Sequence, residues 1–207
     1  MPARWSVLLL ILVSVLSAAL PATAAAQSSP QRFVIVSAES QVTYRVDETL
    51  FNEGNRLNTA VGTTRSIKGE ISIDRANPRA SRIGTITIDI STFESDSPRR
   101  DAAIRRFWLE SSRFPIAEFV PITLTGLPTT YTDGQELRLQ VSGNLKVRNV
   151  VRPNTLFETV LKLTGNTLTG TAATRVLMTD FGFNPPSLVF LRAENEVRLE
   201  FKFVARP

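Results

Sequence analysis

From Phe33 onward, apolar and polar residues alternate along the chain with a period of two. Val42, Tyr44 and Val46 alternate with Thr43, Arg45 and Asp47, and Ile86, Ile88 and Ile90 with Thr85, Thr87 and Asp89. The clearest run is the last, where Val197, Leu199, Phe201 and Phe203 interleave with Glu196, Arg198, Glu200 and Lys202. Ile67, Ile71 and Ile73 share one face of a further run. Successive side chains of a strand point to opposite faces, so this alternation describes antiparallel sheets with one face in a core and one in water. Turn signals punctuate the runs. Asn77-Pro78 is one, Asp133-Gly134 reads as a tight hairpin, and Gly165-Asn166 joins strands expected near 156–163 and 167–178. The pattern predicts an all-β chain of about eight strands. No run is long and continuously apolar, so a parallel α/β architecture is not expected.

One stretch has a helical period instead. Asp96 or Ser97 suits a helix cap, Pro98 its first turn, and Asp101 the positive end of the helix dipole. Ala103, Ile104, Phe107 and Trp108 then recur at helical spacing, with Arg99, Arg100, Arg105 and Arg106 mostly around the other side. The spacing predicts one short helix over 98–110, stopped by Pro115. In an all-β chain such a helix reads as the lid or plug of a barrel. Segment 28–31 reads as a disordered lead-in, and 49–58, rich in Asn with Gly54, as a mobile loop.

The N-terminus reads as a secretory signal peptide. Arg4 supplies the charge, Val7 to Leu16 an apolar run broken by Ser14, and Ala22 to Ala26 the small-residue exit. The run is shorter than the roughly 18 apolar residues of a spanning helix, which disfavours an uncleaved anchor. Cleavage is expected after Ala26, leaving a single domain, 27–207, in the periplasm or secreted. A chain of that size can bury a core without cross-links. It has to, because it contains no cysteine.

Histidine is absent as well. Without His or Cys, a Ser-His-Asp triad, a Cys-His dyad and the common zinc sites are excluded, and no metal or cofactor is expected. Acid-base chemistry would fall to carboxylates, lysine or tyrosine. The formal charge is +5, and the basic residues are mostly arginine. They are scattered, so no nucleic-acid partner is expected. Arginine does suit phosphate and carboxylate groups, because its planar fork binds two oxygens at once.

Several ordered pieces resemble one family. They are Ser66-Ile67-Lys68-Gly69-Glu70-Ile71-Ser72-Ile73-Asp74, Ser97-Pro98-Arg99-Arg100-Asp101-Ala102-Ala103-Ile104-Arg105, Phe114-Pro115, Gly143-Asn144-Leu145-Lys146-Val147-Arg148-Asn149-Val150 and Thr179-Asp180-Phe181-Gly182-Phe183. In this order and spacing, across Phe33 to Val204, the chain resembles the YceI-like family of exported bacterial proteins described as polyisoprenoid-binding. The resemblance implies a lipocalin-like antiparallel barrel enclosing an elongated pore for a polyprenyl lipid or isoprenoid quinone. The chain departs from the family in lacking its histidines near position 39, near Ala103 and before Asn149. Asn149 also replaces the turn glycine, and an asparagine can still adopt the left-handed conformation there.

On that reading, Phe107, Trp108, Phe119, Phe181 and Phe183 are candidates to line the pore. Arg100 and Arg105, which match the family's helix motif, are candidates to meet a polar head group. Each candidate has a competing structural reading: core packing for the aromatics, and ion pairing around a helix-capping Asp101 for the arginines. Two other functions compete with lipid binding. One is a structural barrel filled by its own side chains, and the other an enzyme using carboxylates such as Glu118 or Asp180. The Asp-Phe-Gly of protein kinases is not a precedent, since no Gly-rich loop, strand lysine or catalytic loop accompanies it. The expected partner is an apolar lipid, with transient membrane contact, and a dimer sharing the ligand is equally consistent.

Overall fold

A computed structural model of the chain describes residues 29–207. The leader and the cleavage position at Ala26 lie outside the described residues.

The strands are β1 (Gln31–Ile35), β2 (Gln41–Leu50), β3 (Arg56–Thr64), β4 (Ile67–Lys68), β5 (Glu70–Ile73), β6 (Arg82–Ile83), β7 (Ile86–Asp89) and β8 (Glu94–Ser95). Helix α1 (Pro98–Ala103) follows, running on as a π-helical turn over Ile104–Trp108. Then come β9 (Ile116–Thr125), β10 (Glu136–Val147), β11 (Val150–Thr164), β12 (Thr167–Leu177), β13 (Ser187–Leu188), β14 (Leu191–Ala193) and β15 (Glu196–Arg206). Every pairing is antiparallel. The hydrogen-bonded order runs β15-β12-β11-β10-β9-β7-β4. Strand β5, one residue beyond β4, pairs with β1, and β1 pairs with the end of β15. The circuit therefore returns to its start, closed through the chain at Gly69. Closure removes most of the exposed edges on which strands of other chains add.

Taken around the barrel, the runs 31–50, 56–73, 82–89, 116–125, 136–147, 150–164, 167–177 and 196–206 are the eight expected strands, with β8, β13 and β14 as short additions. A small barrel needs tilted, bent strands, and bulges supply the bends. One sits between Ser142 and Gly143 against β9 and another between Gly143 and Leu145 against β11. Gly143 is required there. A Cβ at this position would stand 2.3 Å from the Val120 carbonyl oxygen and 2.9 Å from the Cα of Pro121. Both obstacles are backbone, so neither can rotate away. Gly143→Ala is expected to destabilise the barrel by about 2 kcal/mol, read as a lower urea midpoint.

The alternation does what the pattern predicts. On β10, Leu137, Leu139, Val141 and Leu145 are buried while Arg138 and Gln140 are exposed. Phe33, Leu168 and Ala205 have no exposed surface at all, so the deepest packing lies where β1, β12 and β15 meet. Gly165-Asn166 is the two-residue hairpin between β11 and β12, and Asn77-Pro78 opens a 3-10 turn between β5 and β6.

Several local expectations are corrected. Asp133-Gly134 is not a tight hairpin but part of the connection 126–135. It is tied sideways instead of folding β9 back on β10: the Asp133 carboxylate accepts from the Gly165 amide at 2.9 Å, and the Gly134 amide donates to the Leu163 carbonyl at 2.7 Å. Segment 49–58 is mostly ladder, not loop. Strands β2 and β3 stay paired to Leu50 opposite Arg56, and Asn58 and Thr59 donate to the Glu48 and Asp47 carboxylates. Gln31 belongs to β1, opposite Ile73, and not to a disordered lead-in. In the hairpin after β10 the positive φ, 58°, falls on Arg148 and not on Asn149.

The helix begins as expected, with the Ser97 hydroxyl accepting from the Arg100 amide at 3.3 Å and Pro98 in its first turn. It ends at Trp108, two residues short of Glu110. The Leu109 amide bonds back to Ile104 across five residues, at 2.9 Å. The extra residue in that turn rotates the following side chains. Phe107 consequently leaves the packed face on which a 3.6 period places it, and is 64% exposed.

Candidate functional site: an apolar cavity in the barrel

Inward-facing side chains of neighbouring strands are held opposite one another by the register, and they form belts. One belt crosses five strands as Leu139, Thr159, Ala172, Phe201 and Val42, each paired with the next. A second runs Leu137, Leu161, Gly170 and Phe203. At Gly170 a Cβ would lie 2.6 Å from the Phe203 ring, so the glycine leaves the space that the ring occupies. The side chains of these belts wall a cavity of about 140 Å³, together with Ile71, Ile86, Phe119, Val141, Leu145 and Phe157. An apolar cavity of about 150 Å³ is dry and takes a benzene-sized guest. Phe119 and Phe157 meet edge to face, centroids 4.7 Å apart, and Phe201 stacks on Phe203 at 5.1 Å.

The cavity reaches the end of the barrel made by 73–83, 124–131 and the β11–β12 hairpin. Asp74, Pro78, Ser81, Arg82, Leu127 and Tyr131 line it there. The Tyr131 hydroxyl donates to the Leu163 carbonyl. Burial raises its pKa above the ordinary value, the nearby Asp133 carboxylate adds to the rise, and Arg75 opposes it.

The opposite end is the helix end, and it is closed by packing. Phe93, Phe181, Leu109, Tyr44 and Phe183 belong to one core cluster beneath α1, with Tyr44 edge-on to Phe93 at 5.2 Å. A buried polar network ties the helix down. The Glu48 side chain, 4% exposed, receives Arg100 at 3.1 Å and the Asn58 amide at 2.7 Å. The buried Asp101 carboxylate accepts from the Ser95 amide at 3.0 Å and the Ser95 hydroxyl at 2.6 Å. Burial, with Asp101 close by, pushes the Tyr44 pKa up to about 12 from 10.0. The folded state thus holds this proton more tightly than the unfolded chain. Stability contributed by Tyr44 is complete below pH 10 and is lost as pH rises toward 12. Denaturation midpoints across that window are expected to fall, and Tyr44→Phe to flatten the fall.

Of the residues nominated from the sequence, Phe119 stands in the cavity wall. Phe181 is buried in the core and Phe183 packs against it, both at the helix end. Phe107 is exposed, and Trp108, half-buried, donates from Nε1 to the Asn184 carbonyl at 3.1 Å. Arg100 is engaged by Glu48 and Asp96, and Arg105 donates to the Phe93 carbonyl at 3.0 Å. These arginines hold the helix to the barrel, at the end away from the cavity. Glu118 pairs with Lys146 at 3.6 Å and Asp180 with Arg152 at 2.8 Å, and neither lines the cavity. Among the described residues no group of His, Cys, Asp or Glu is arranged to hold a metal ion. Alternation had already placed Val42, Leu199 and Phe201 on inward faces. Thr159 and Ala172 carried no such signal, since small and hydroxylated residues sit on either face of a strand.

Residues 33–205 match the YceI-like domain, and the chain belongs to that family. Solved structures of the same fold include BcnA of Burkholderia cenocepacia, with 16% identity and a TM-score of 0.63, covering 82% of this chain and 98% of that one. A polyisoprenoid-binding domain from Saccharophagus degradans implicated in plant cell wall breakdown is 12% identical, with a TM-score of 0.57, and covers 86% of this chain and 98% of its own. The Campylobacter jejuni YCEI protein is also 12% identical, with a TM-score of 0.57, covering 70% and 84%. A search of curated proteins returned no match.

Proposed function

We propose that the protein is an exported lipid carrier that holds the tail of an isoprenoid-type amphiphile, a polyprenyl lipid or an isoprenoid quinone, inside the barrel, and that it binds this ligand without chemical conversion. The observation that carries the reading is the cavity, walled by belts of aliphatic and aromatic side chains and open toward one end. Such walls offer a tail shape and carbon contact, about 0.8 kcal/mol for each buried methylene. The binding named for the Saccharophagus degradans domain supports the same ligand class. Export rests on the leader-like 1–26 and places the carrier in the periplasm or outside the cell. Loading a tail of this kind brings the protein into transient contact with a membrane.

The volume of about 140 Å³ suits a slender guest. The test is native mass spectrometry of detergent-free protein, followed by solvent extraction. A stoichiometric adduct with the mass of a polyprenyl chain or quinone is the expected result. A clean apo mass, with no uptake when such lipids are offered, would leave a barrel filled by its own side chains.

A further inference from the structure

We propose that segment 74–83 makes the cavity mouth a selector for anionic, phosphate-type head groups over neutral ones. The inference rests on the lipid-carrier reading and moves head-group recognition to the end of the barrel opposite α1.

Three arginines, Arg75, Arg79 and Arg82, fall within eight residues at this mouth. Arg82 itself lines the cavity, beside Asp74, Pro78 and Ser81. Among the described residues none of the three is ion-paired to a carboxylate. Arg82 Nη1 donates to the backbone carbonyls of Arg79 at 3.1 Å and Ser81 at 2.8 Å. Arg75 Nη2 reaches across to the β11–β12 hairpin, donating to the Gly165 carbonyl and to Asn166 Oδ1. The Arg79 guanidinium makes no hydrogen bond within the described residues.

The acids of the same rim are otherwise occupied. Asp74 accepts from the Ala76 and Asn77 amides at 2.9 and 2.8 Å, Asp133 from the Gly165 amide, and Glu136 pairs with Arg138. Two of the arginines are thus positioned by neutral carbonyl oxygens and not by carboxylates, and the three arginines outnumber the rim's unpaired acids, Asp74 and Asp133. The contrast is with Arg100 at the far end, whose charge is met by Glu48 and Asp96.

A guanidinium offers five N–H donors in a planar fork, and one or two on each of Arg75 and Arg82 are committed. The remainder suit the oxygens of a phosphate standing at the mouth while its tail lies in the cavity. A neutral alcohol or quinone head gains no comparable charge-assisted bonds. The mouth therefore discriminates by head-group charge, and the cavity by tail.

The test compares farnesyl monophosphate with farnesol, which share a tail, by titration into the detergent-free protein. The monophosphate is expected to bind about tenfold tighter or more, with a margin that narrows as salt is raised. In the double variant Arg79→Gln, Arg82→Gln the margin between the two probes is expected to vanish. Equal binding of the two probes, tighter binding of farnesol, or a margin that survives in the variant would overturn the head-group assignment alone. Failure of both probes to bind would overturn the carrier reading beneath it.

Discussion

Ala172→Phe is expected to abolish lipid uptake while leaving a folded barrel. Ala172 faces inward from β12, held between Thr159 on β11 and Phe201 on β15 in the belt that crosses the cavity. Its methyl group is the smallest side chain of that belt, so the space beside it belongs to the cavity and not to a neighbour. A phenyl ring there projects into the volume that a tail would fill. Overpacking of this kind costs about 1–3 kcal/mol where a core is already full, and less where an empty space receives the ring. The variant should therefore keep the far-UV circular dichroism and a cooperative melt of the parent while its mass spectrum shows no adduct. Ala173→Phe is the control. Ala173 is the next residue on the same strand, is exposed, and points to the outer face, so it should bind as the parent does. Undiminished uptake by Ala172→Phe would mean that the tail lies elsewhere.

The second large effect concerns the helix end. Arg100→Met is expected to destabilise the protein by about 3 kcal/mol, because it strands the Glu48 carboxylate in the interior with only the Asn58 amide as a partner. The cost arises from the carboxylate left behind more than from the pair lost. Glu48→Gln added to Arg100→Met removes that charge and should recover a substantial part of the loss, a coupling that a double-mutant cycle in urea measures directly. Parent-like stability of the single variant would show that the guanidinium does not hold α1 to the barrel. Lipid uptake should survive in the double variant, since Glu48 and Arg100 stand apart from the cavity wall.

These two predictions separate the ends of the barrel, and that separation was not legible in the sequence. The resemblance made Arg100 and Arg105 of the predicted helix, with its Phe107 and Trp108, candidates for the ligand site. The structure uses that helix to close one end, through Phe93, Tyr44 and the Glu48–Arg100 pair, while the cavity opens at the other. Arg75, Arg79 and Arg82 counted only among the scattered basic residues. Their meaning depends on the absence of carboxylate partners, which is a property of distances between segments far apart in the chain.

What the sequence determined by itself was local and periodic. Alternation in 197–203 and 86–90 defined strands and their inward faces, Ser97-Pro98 defined the start of a helix, and Gly165-Asn166 a hairpin, because each depends on dihedral preference and on residues next in line. The set of motifs from Ser66 to Phe183 also sufficed to indicate the family and hence the barrel. The tertiary structure decided the register that aligns Leu139, Thr159, Ala172, Phe201 and Val42 into one belt, the π turn that expels Phe107, and the end at which the cavity opens. A shift of register by one residue would exchange every inward side chain for an outward one, yet it would leave the alternating pattern of the chain unchanged.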